Sequence, residues 1–311
     1  MDLASLVAAL RRRLVSPSSS SSKRKEAARV LALLSLEGVP GASPETWTGV
    51  GSVSTDAPVI DAGPIALSPS ALELMDECQL RWFFRFSRGQ DQATGEEAEG
   101  FTPAALGTLI HAIAEAHPRG PSGVLHQELD ERWPSLGLSD DTHWGRFWKT
   151  RAENMVDRLA EHLTTWKGPV EVEESFEFQV GPGVVRGRID RLEIEPDGSA
   201  RIIDIKSGRP LSRPQVEKNP QLRAYQSALQ ALGYKSAGAG LLQVAAEKPP
   251  ALTMQEALSE EAIEEHLEVL SQAAEDASGA TFRAEAGWHC GMCEFTKACP
   301  AVDGKKGERD V

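Results

Sequence analysis

Apolar positions recur at helical spacing from Leu3 to Leu14 and again from Lys23 to Leu36, where the second run stops at Gly38. The low-complexity stretch Ser16 to Ser22 between them reads as a flexible linker. Pro40 to Pro64 is rich in Gly, Pro, Ser and Thr, with Trp47 as an anchor onto neighbouring structure. Residues 1–63 are expected to form a helical, low-complexity segment and linker, and residues 64–311 the principal domain.

From Leu67 the pattern tightens. Ser68-Pro69-Ser70 offers an N-cap and a first-turn proline for a helix through about Phe86, with Cys78 inside it. A polar, acidic loop follows (Gly89 to Gly100), and Thr102-Pro103 opens a helix that carries His111. Helical or irregular segments rich in Trp continue to about Trp166. The period then changes to that of strands. Val172–Val180, Val184–Ile194 and Ala200–Ile205 are rich in β-branched residues and are separated by Gly181-Pro182-Gly183 and Pro196-Asp197-Gly198, which predicts an antiparallel meander. A helix over Arg213 to Leu232, a buried strand over Gly238 to Val244 and a helix over Ser259 to Ala277 complete the order α, three strands, α, β, α, without internal repeat.

At 311 residues and 41% hydrophobic content, the chain can bury one sizeable core. Its net charge of -13 argues against a passive DNA-coating protein, which would neutralise phosphates with Lys and Arg. It argues less against a nuclease, whose site needs carboxylates and whose partner chain can supply DNA contacts. No stretch approaches the roughly 18 apolar residues of a membrane span. The start also lacks the apolar core of a secretory signal despite Arg11, Arg12 and Arg13, so a soluble cytoplasmic protein without membrane association is expected.

The candidate chemistry sits on the meander. Gly187-Arg188-Ile189-Asp190 is followed one hairpin later by Ile202-Ile203-Asp204-Ile205-Lys206-Ser207-Gly208. Residues two apart in a strand share a face, so Asp204 and Lys206 project together and the hairpin can place Asp190 beside them. Two converging carboxylates repel unless a cation lies between them, and oxygen ligands select a hard ion such as Mg2+ or Mn2+. Lys206 can then orient a water or stabilise developing charge. On the following helix Gln221 and Tyr225 are four apart and share a face.

Asp190, Asp204-x-Lys206 and Gln221-x-x-x-Tyr225, with His111 upstream in Gly107-Thr108-Leu109-Ile110-His111, resemble the motif series of RecB-family and Cas4-like PD-(D/E)xK nucleases over about Leu67 to Pro300. The resemblance implies an α/β, restriction-endonuclease-like core (α-βββ-α-β) with helical additions. It also implies a metal held by His111, Asp190, Asp204 and the backbone carbonyl of Ile205, with Lys206 catalytic and Gln221 and Tyr225 shaping the DNA-side pocket. His117 and Glu115 are rival ligands to His111, and Glu173 or Glu174 on the first strand can add an acidic contact.

Four cysteines occur, and three fall in Cys290-x2-Cys293-x5-Cys299-Pro300, the close spacing of a metal-binding loop with one ligand missing. Cys78 is the one candidate to complete four. Four thiolates suit Zn2+ or an iron-sulfur cluster alike. Iron-sulfur RecB-like nucleases have one cysteine before the nuclease core and three after it, so the resemblance implies a structural [4Fe-4S] staple. In the helix around Cys78, aromatics alternate with arginines, and Arg81, Arg85 and Arg88 are candidate DNA contacts.

The expected activity is metal-dependent hydrolysis of DNA, as an exonuclease on single-stranded ends in double-strand-break repair or recombination. The alternative is a non-cleaving DNA-binding module or an accessory subunit of a helicase complex. No Gly-x-x-x-x-Gly-Lys-Ser/Thr phosphate loop is present, so any motor belongs to a partner or a fused domain. Gly38 to Thr55 resembles the stretch that joins helicase to nuclease in actinobacterial Adn-type machines.

Overall fold

The computed structural model describes residues 2–16, 18–47, 57, 63–87, 101–246, 251–296 and 299–302. The chain divides into two compact units, Met1–Ala57 and Pro58–Val311. In the first, helices α1 (Leu3–Val15) and α2 (Ser21–Leu36) pack through Val7, Leu10, Ala27 and Leu31. The serine run is more ordered than a flexible linker. The Ser20 hydroxyl accepts the Lys23 N–H at 3.4 Å, so Ser21 and Ser22 become the first helical turn. Trp47 donates to the Gly41 carbonyl at 2.7 Å and lies under the Arg11 guanidinium, 4.8 Å from its ring centre.

The second unit is built on a mixed sheet of six strands: β1 (Ile65–Leu67), β2 (Val170–Val180), β3 (Gly183–Ile194), β4 (Ala200–Lys206), β5 (Ser236–Gln243) and β6 (Leu252–Gln255). The meander β2-β3-β4 is antiparallel, as the alternation predicts. β5 returns parallel to β4, and β6 pairs antiparallel with β5. β1 and β6, of 3 and 4 residues, are too short to impose a period on the sequence.

Helices cover both faces, and β4 shows why. Its apolar run alternates, with Ile202 facing α3 (Pro69–Glu77), α9 (Pro220–Ala231) and α10 (Glu260–Ala277) through Leu72, Leu222 and Leu270. Ile203 and Ile205 face α5 (Pro103–Ala116), α6 (Ser122–Arg132) and α7 (His143–Thr165) through Ile110, Leu129 and Leu159. A strand buried on both faces within a three-layer α/β unit results, the fold class expected from the element order.

Two predicted helices are each broken. α3 ends at Glu77 and α4 (Gln79–Ser87) begins after Cys78, which is extended at φ -170°, ψ 109°. The break is tertiary in origin. The Leu80 N–H donates to the Arg283 carbonyl at 3.0 Å, while the Gln79 side chain binds Asp276 at 2.6 Å. The helix expected over Arg213 to Leu232 separates into α8 (Arg213–Glu217) and α9, because Pro220 has no N–H to extend it and Asn219 instead caps the Leu222 N–H at 3.0 Å.

α10 carries a buried histidine. His266 is 6% exposed, its Nδ1 lies 2.9 Å from Ser227 Oγ, and burial together with the Arg223 charge lowers its pKa from 6.5 to about 4. Below pH 6.5 the unfolded chain binds a proton that the folded chain refuses, so stability falls as pH drops from 6.5 towards 4, by roughly 3 kcal/mol. Denaturant melts of His266→Gln across that range should show a shallower pH slope than the parent.

Candidate active site

β3 runs past two neighbours on one edge. β1 pairs with its start (Gly183 to Val185), and β4 pairs with its end from Arg191 onward. Asp190 lies at the fork where β3 and β4 stop pairing. Its carboxylate takes over the role of a backbone acceptor, Oδ2 receiving the Ile205 N–H at 2.7 Å. The Ile205 N–H thereby ties Asp190 to β4. Two residues along β4, Asp204 and Lys206 project onto the α9 side, and Lys206 Nζ lies 3.0 Å from Asp204 Oδ2.

α9 closes that side. Lys206 Nζ donates to Gln221 Oε1 at 2.8 Å, and the Gln221 amide nitrogen lies 3.3 Å from both Asp204 Oδ1 and the Tyr225 hydroxyl. The Tyr225 hydroxyl in turn lies 3.4 Å from the Arg188 carbonyl on β3. Gln221 and Tyr225 thus fix the Asp204–Lys206 pair from the same helical face, as their spacing predicts.

α5 closes the other side. His111 Nδ1 stands 3.4 Å from Asp190 Oδ1. Its placement follows from Gly107, one turn earlier. A Cβ there would sit 2.6 Å from Ser207 Oγ, so a larger residue at this position requires the Ser207 hydroxyl to turn away. Gly107→Ala should cost about 1 kcal/mol unless Ser207 moves aside, and Ser207→Ala should restore most of it. A double-mutant cycle of melting free energies measures this coupling. Of the rival ligands, His117 pairs with Glu128 at 3.1 Å, and Glu115 is exposed.

The acidic contact on β2 is Glu173. His111, Glu173 and Asp190 offer ligand atoms all within 4.8 Å of one another, the one such group among the described residues. Glu173 faces Asp190 where β2–β3 pairing is interrupted, between Val172↔Arg191 and Glu174↔Ile189. Its φ of 54° makes it the one non-glycine residue in the left-handed region among those described. Such a conformation costs about 1 kcal/mol and is found where the surroundings over-determine it. Arg188 pairs with the outer carboxylate oxygen, Oε2. Counting back equally from both sides of the Gly181-Pro182 turn pairs Glu173 with Asp190, a signal that strand alternation alone does not carry.

The electrostatics are those of crowded acids. Burial raises the Asp204 pKa, Lys206 opposes the rise and Asp190 adds to it. Burial likewise raises Glu173, with Arg188 opposing and Asp190 reinforcing. For His111, burial lowers the pKa, but its hydrogen bond to Asp190 and the Asp190 and Asp204 charges outweigh it and leave a net rise. Lys206 is raised in spite of burial by the Asp204 carboxylate. Asp204 Oδ2, buried and beside Lys206 in ion-pair contact, accepts no hydrogen bond of good geometry among the described residues. The His111–Glu173–Asp190 group offers one ring nitrogen and two carboxylates, a donor set that fits a hard divalent cation, and Asp204 on the neighbouring strand adds a buried carboxylate.

No disulfide joins any of the four cysteines. Cys78 is buried at the α3–α4 break, its sulfur 3.9 Å from the Arg283 carbonyl. Cys290 Sγ receives the Gly287 N–H at 3.3 Å, and Cys293 and Cys299 are half-buried. No three of these sulfurs lie within 4.8 Å of one another among the described residues. α4 is joined to the cysteine loop by the Arg85–Glu294 pair at 3.3 Å and the Phe84–Phe295 rings at 5.1 Å. Arg81 pairs with Glu77 at 2.9 Å, so Arg81 and Arg85 are both engaged within the protein. Arg88 lies outside the described residues.

No curated protein matches the chain. Two solved structures are similar over most of it. The protein SSO0001 is 18% identical, with 78% of this chain and 89% of that one covered at a TM-score of 0.35. A candidate exonuclease from Eubacterium rectale is 12% identical, with 79% and 89% covered at a TM-score of 0.43. The model of the PD-(D/E)XK nuclease superfamily matches residues 66–300, a span that includes the forked β3–β4 pair, α5, α9 and the cysteines, and the chain therefore belongs to the PD-(D/E)XK nuclease superfamily.

Proposed function

We propose that the chain is a metal-dependent deoxyribonuclease of RecB type, cutting single-stranded DNA from an end in double-strand-break repair or recombination. The observation that carries the reading is the convergence of His111, Glu173 and Asp190, with the buried Asp204 and its partner Lys206 on the adjoining strand. Asp190, Asp204, His111, Glu173 and the Ile205 carbonyl would hold Mg2+ or Mn2+. When bound, the ion supplies an activated water and neutralises phosphate charge.

The chain's own groups then have distinct tasks. Lys206, held between Asp204 and Gln221, orients the attacking water and balances the charge that grows on the phosphate. Gln221 fixes both ends of that pair, and Tyr225 fixes Gln221. Water attacks phosphorus in line, the P–O3′ bond breaks, and a 5′-phosphate and 3′-hydroxyl remain.

The four cysteines, on this reading, hold a structural [4Fe-4S] cluster, with Zn2+ as the alternative. Supporting it are the N–H donated to the Cys290 sulfur and the contacts that seat α4 against the cysteine loop. Residues 1–63 serve as the joining segment and 64–311 as the nuclease domain, acting in the cytoplasm with a separate or fused helicase. No helix among the described residues is long and apolar enough to cross a membrane. The test is incubation with 3′-labelled single-stranded oligonucleotide and Mg2+ or Mn2+, with end analysis of the fragments. Fragments bearing 5′-phosphate, formed with metal and blocked by EDTA, are expected. Intact DNA across the full titration, with DNA still bound, would replace this reading with the non-cleaving module.

A further inference from the structure

The first half of α7 is unlike the acidic chain that carries it. From His143 to Ala152 it holds His143, Arg146, Lys149 and Arg151 and no carboxylate, in a protein of net charge -13. Trp144 and Phe147 project from the same stretch, 57% and 50% exposed. Their rings stack at 17° and 6.0 Å. Trp148 supports both edge-on at 5.7 and 5.5 Å, so the exposed pair is a braced platform.

Beside the platform runs a groove of about 480 Å3, lined by His143, Arg146, Phe147, Arg151, Arg158 and Ala245 among others. Its volume falls in the ~300–1,000 Å3 range of small-molecule sites, which suits a base with its phosphate. Among the described residues no ion pair involves Arg146 or Arg151. Arg146 donates only to the Asp140 and Asp141 carbonyls, at 3.0 and 2.8 Å, which orients the guanidinium and leaves its charge uncompensated. The groove adjoins the strand end that carries Lys206: Arg158 donates to the Val244 carbonyl at 2.9 Å, and the Val244 N–H donates to the Lys206 carbonyl at 3.0 Å. None of His111, Asp190 or Asp204 lines it, so it is a separate feature.

We propose that this groove is a track for single-stranded DNA, with unpaired bases stacked on Trp144 and Phe147 and phosphates held by Arg146 and Arg151. Flat, exposed rings flanked by arginines that no carboxylate neutralises among the described residues, Arg151 lying over the Trp148 ring at 5.8 Å, match a strand whose bases are free, because duplex bases present no open faces to stack on. The proposal rests on the nuclease reading for its choice of DNA, but it concerns binding and not bond cleavage.

The experiment measures fluorescence anisotropy of a labelled oligo-dT with the full chain in EDTA, where no cleavage occurs. Trp144→Ala with Phe147→Ala should weaken binding about tenfold or more. Arg146→Gln with Arg151→Gln should shrink the slope of log affinity against log salt by about 0.7 per arginine. Trp144→Phe with Phe147→Tyr keeps the rings and should bind within twofold of the parent, which separates stacking from folding. Binding is read in EDTA and needs no bond cleavage, so a failure of cleavage chemistry leaves the groove test intact. With active protein, the aromatic double variant should raise KM far more than it lowers kcat. Unchanged dT affinity and salt slope in both double variants, loss of binding in the ring-conserving variant, or tighter binding of duplex or oligo-U than of oligo-dT would each overturn the proposal.

Discussion

Asp204→Asn is expected to slow DNA cleavage by about a thousandfold, and Lys206→Met by about a hundred- to a thousandfold, the scale of losing one charge-stabilising group in a water-excluded site. Asp204 is 3% exposed, and its Oδ2 has Lys206 as its ion-pair partner. The substitution therefore removes a cation ligand and releases Lys206 from its anchor together. Stability should move the other way. Without metal the folded chain confines Asp204 near Asp190, and burial with that neighbour raises the Asp204 pKa. Asn removes this repulsion, so the metal-free variant should melt at the same temperature as the parent or above it, as at sites whose function is built on strain. Single-turnover cleavage and thermal melts on the same preparations check both halves. A full-rate Asp204→Asn would remove the residue from the mechanism.

Cys78→Ser should have the second largest effect. The cysteine stands at the break between α3 and α4, where the C-terminal segment docks through Arg283 and Gln79. If the four thiolates share a metal group, losing one ligand loses the group and its tie between distant parts of the chain. A loss of several kcal/mol follows, by analogy with the removal of structural metals and long-loop cross-links. In a chain of this size about 1 kcal/mol shifts the melting temperature by about 2–4 °C, so a fall of about 10 °C is expected. Anaerobic purification with iron and zinc analysis should give close to four irons in the parent and a large loss in the variant. Equal stability and metal content would show that the cysteines do not act together.

The parts of the site set by local periodicity were legible in the sequence. Asp204 and Lys206 share a face because strands alternate, and Gln221 and Tyr225 share one because helices repeat near four residues. Asp190 followed from the hairpin. Glu173 and Glu174 could not be separated, because the left-handed twist at Glu173 is set by its tertiary neighbours and by no propensity of glutamate. The role of Gly107 rests on contact with Ser207, remote in sequence. The α3–α4 break was hidden for the same reason, since Arg283 supplies the acceptor that ends the helix pattern. The α8–α9 break was different in kind: Asn219-Pro220 announced it, but the apolar period runs through both pieces and masks it.

On the function proposed above, the His111–Glu173–Asp190 group acts with Asp204 to hold the divalent ion that DNA cleavage requires. The most direct test is the rate of cleavage of a labelled single-stranded oligonucleotide as Mn2+ is titrated, with Asp190→Asn run alongside. The account predicts a saturable rise in the parent, abolished by EDTA, and a flat or strongly right-shifted curve in the variant. Superimposable curves for the two proteins, or cleavage indifferent to Mn2+, would contradict it.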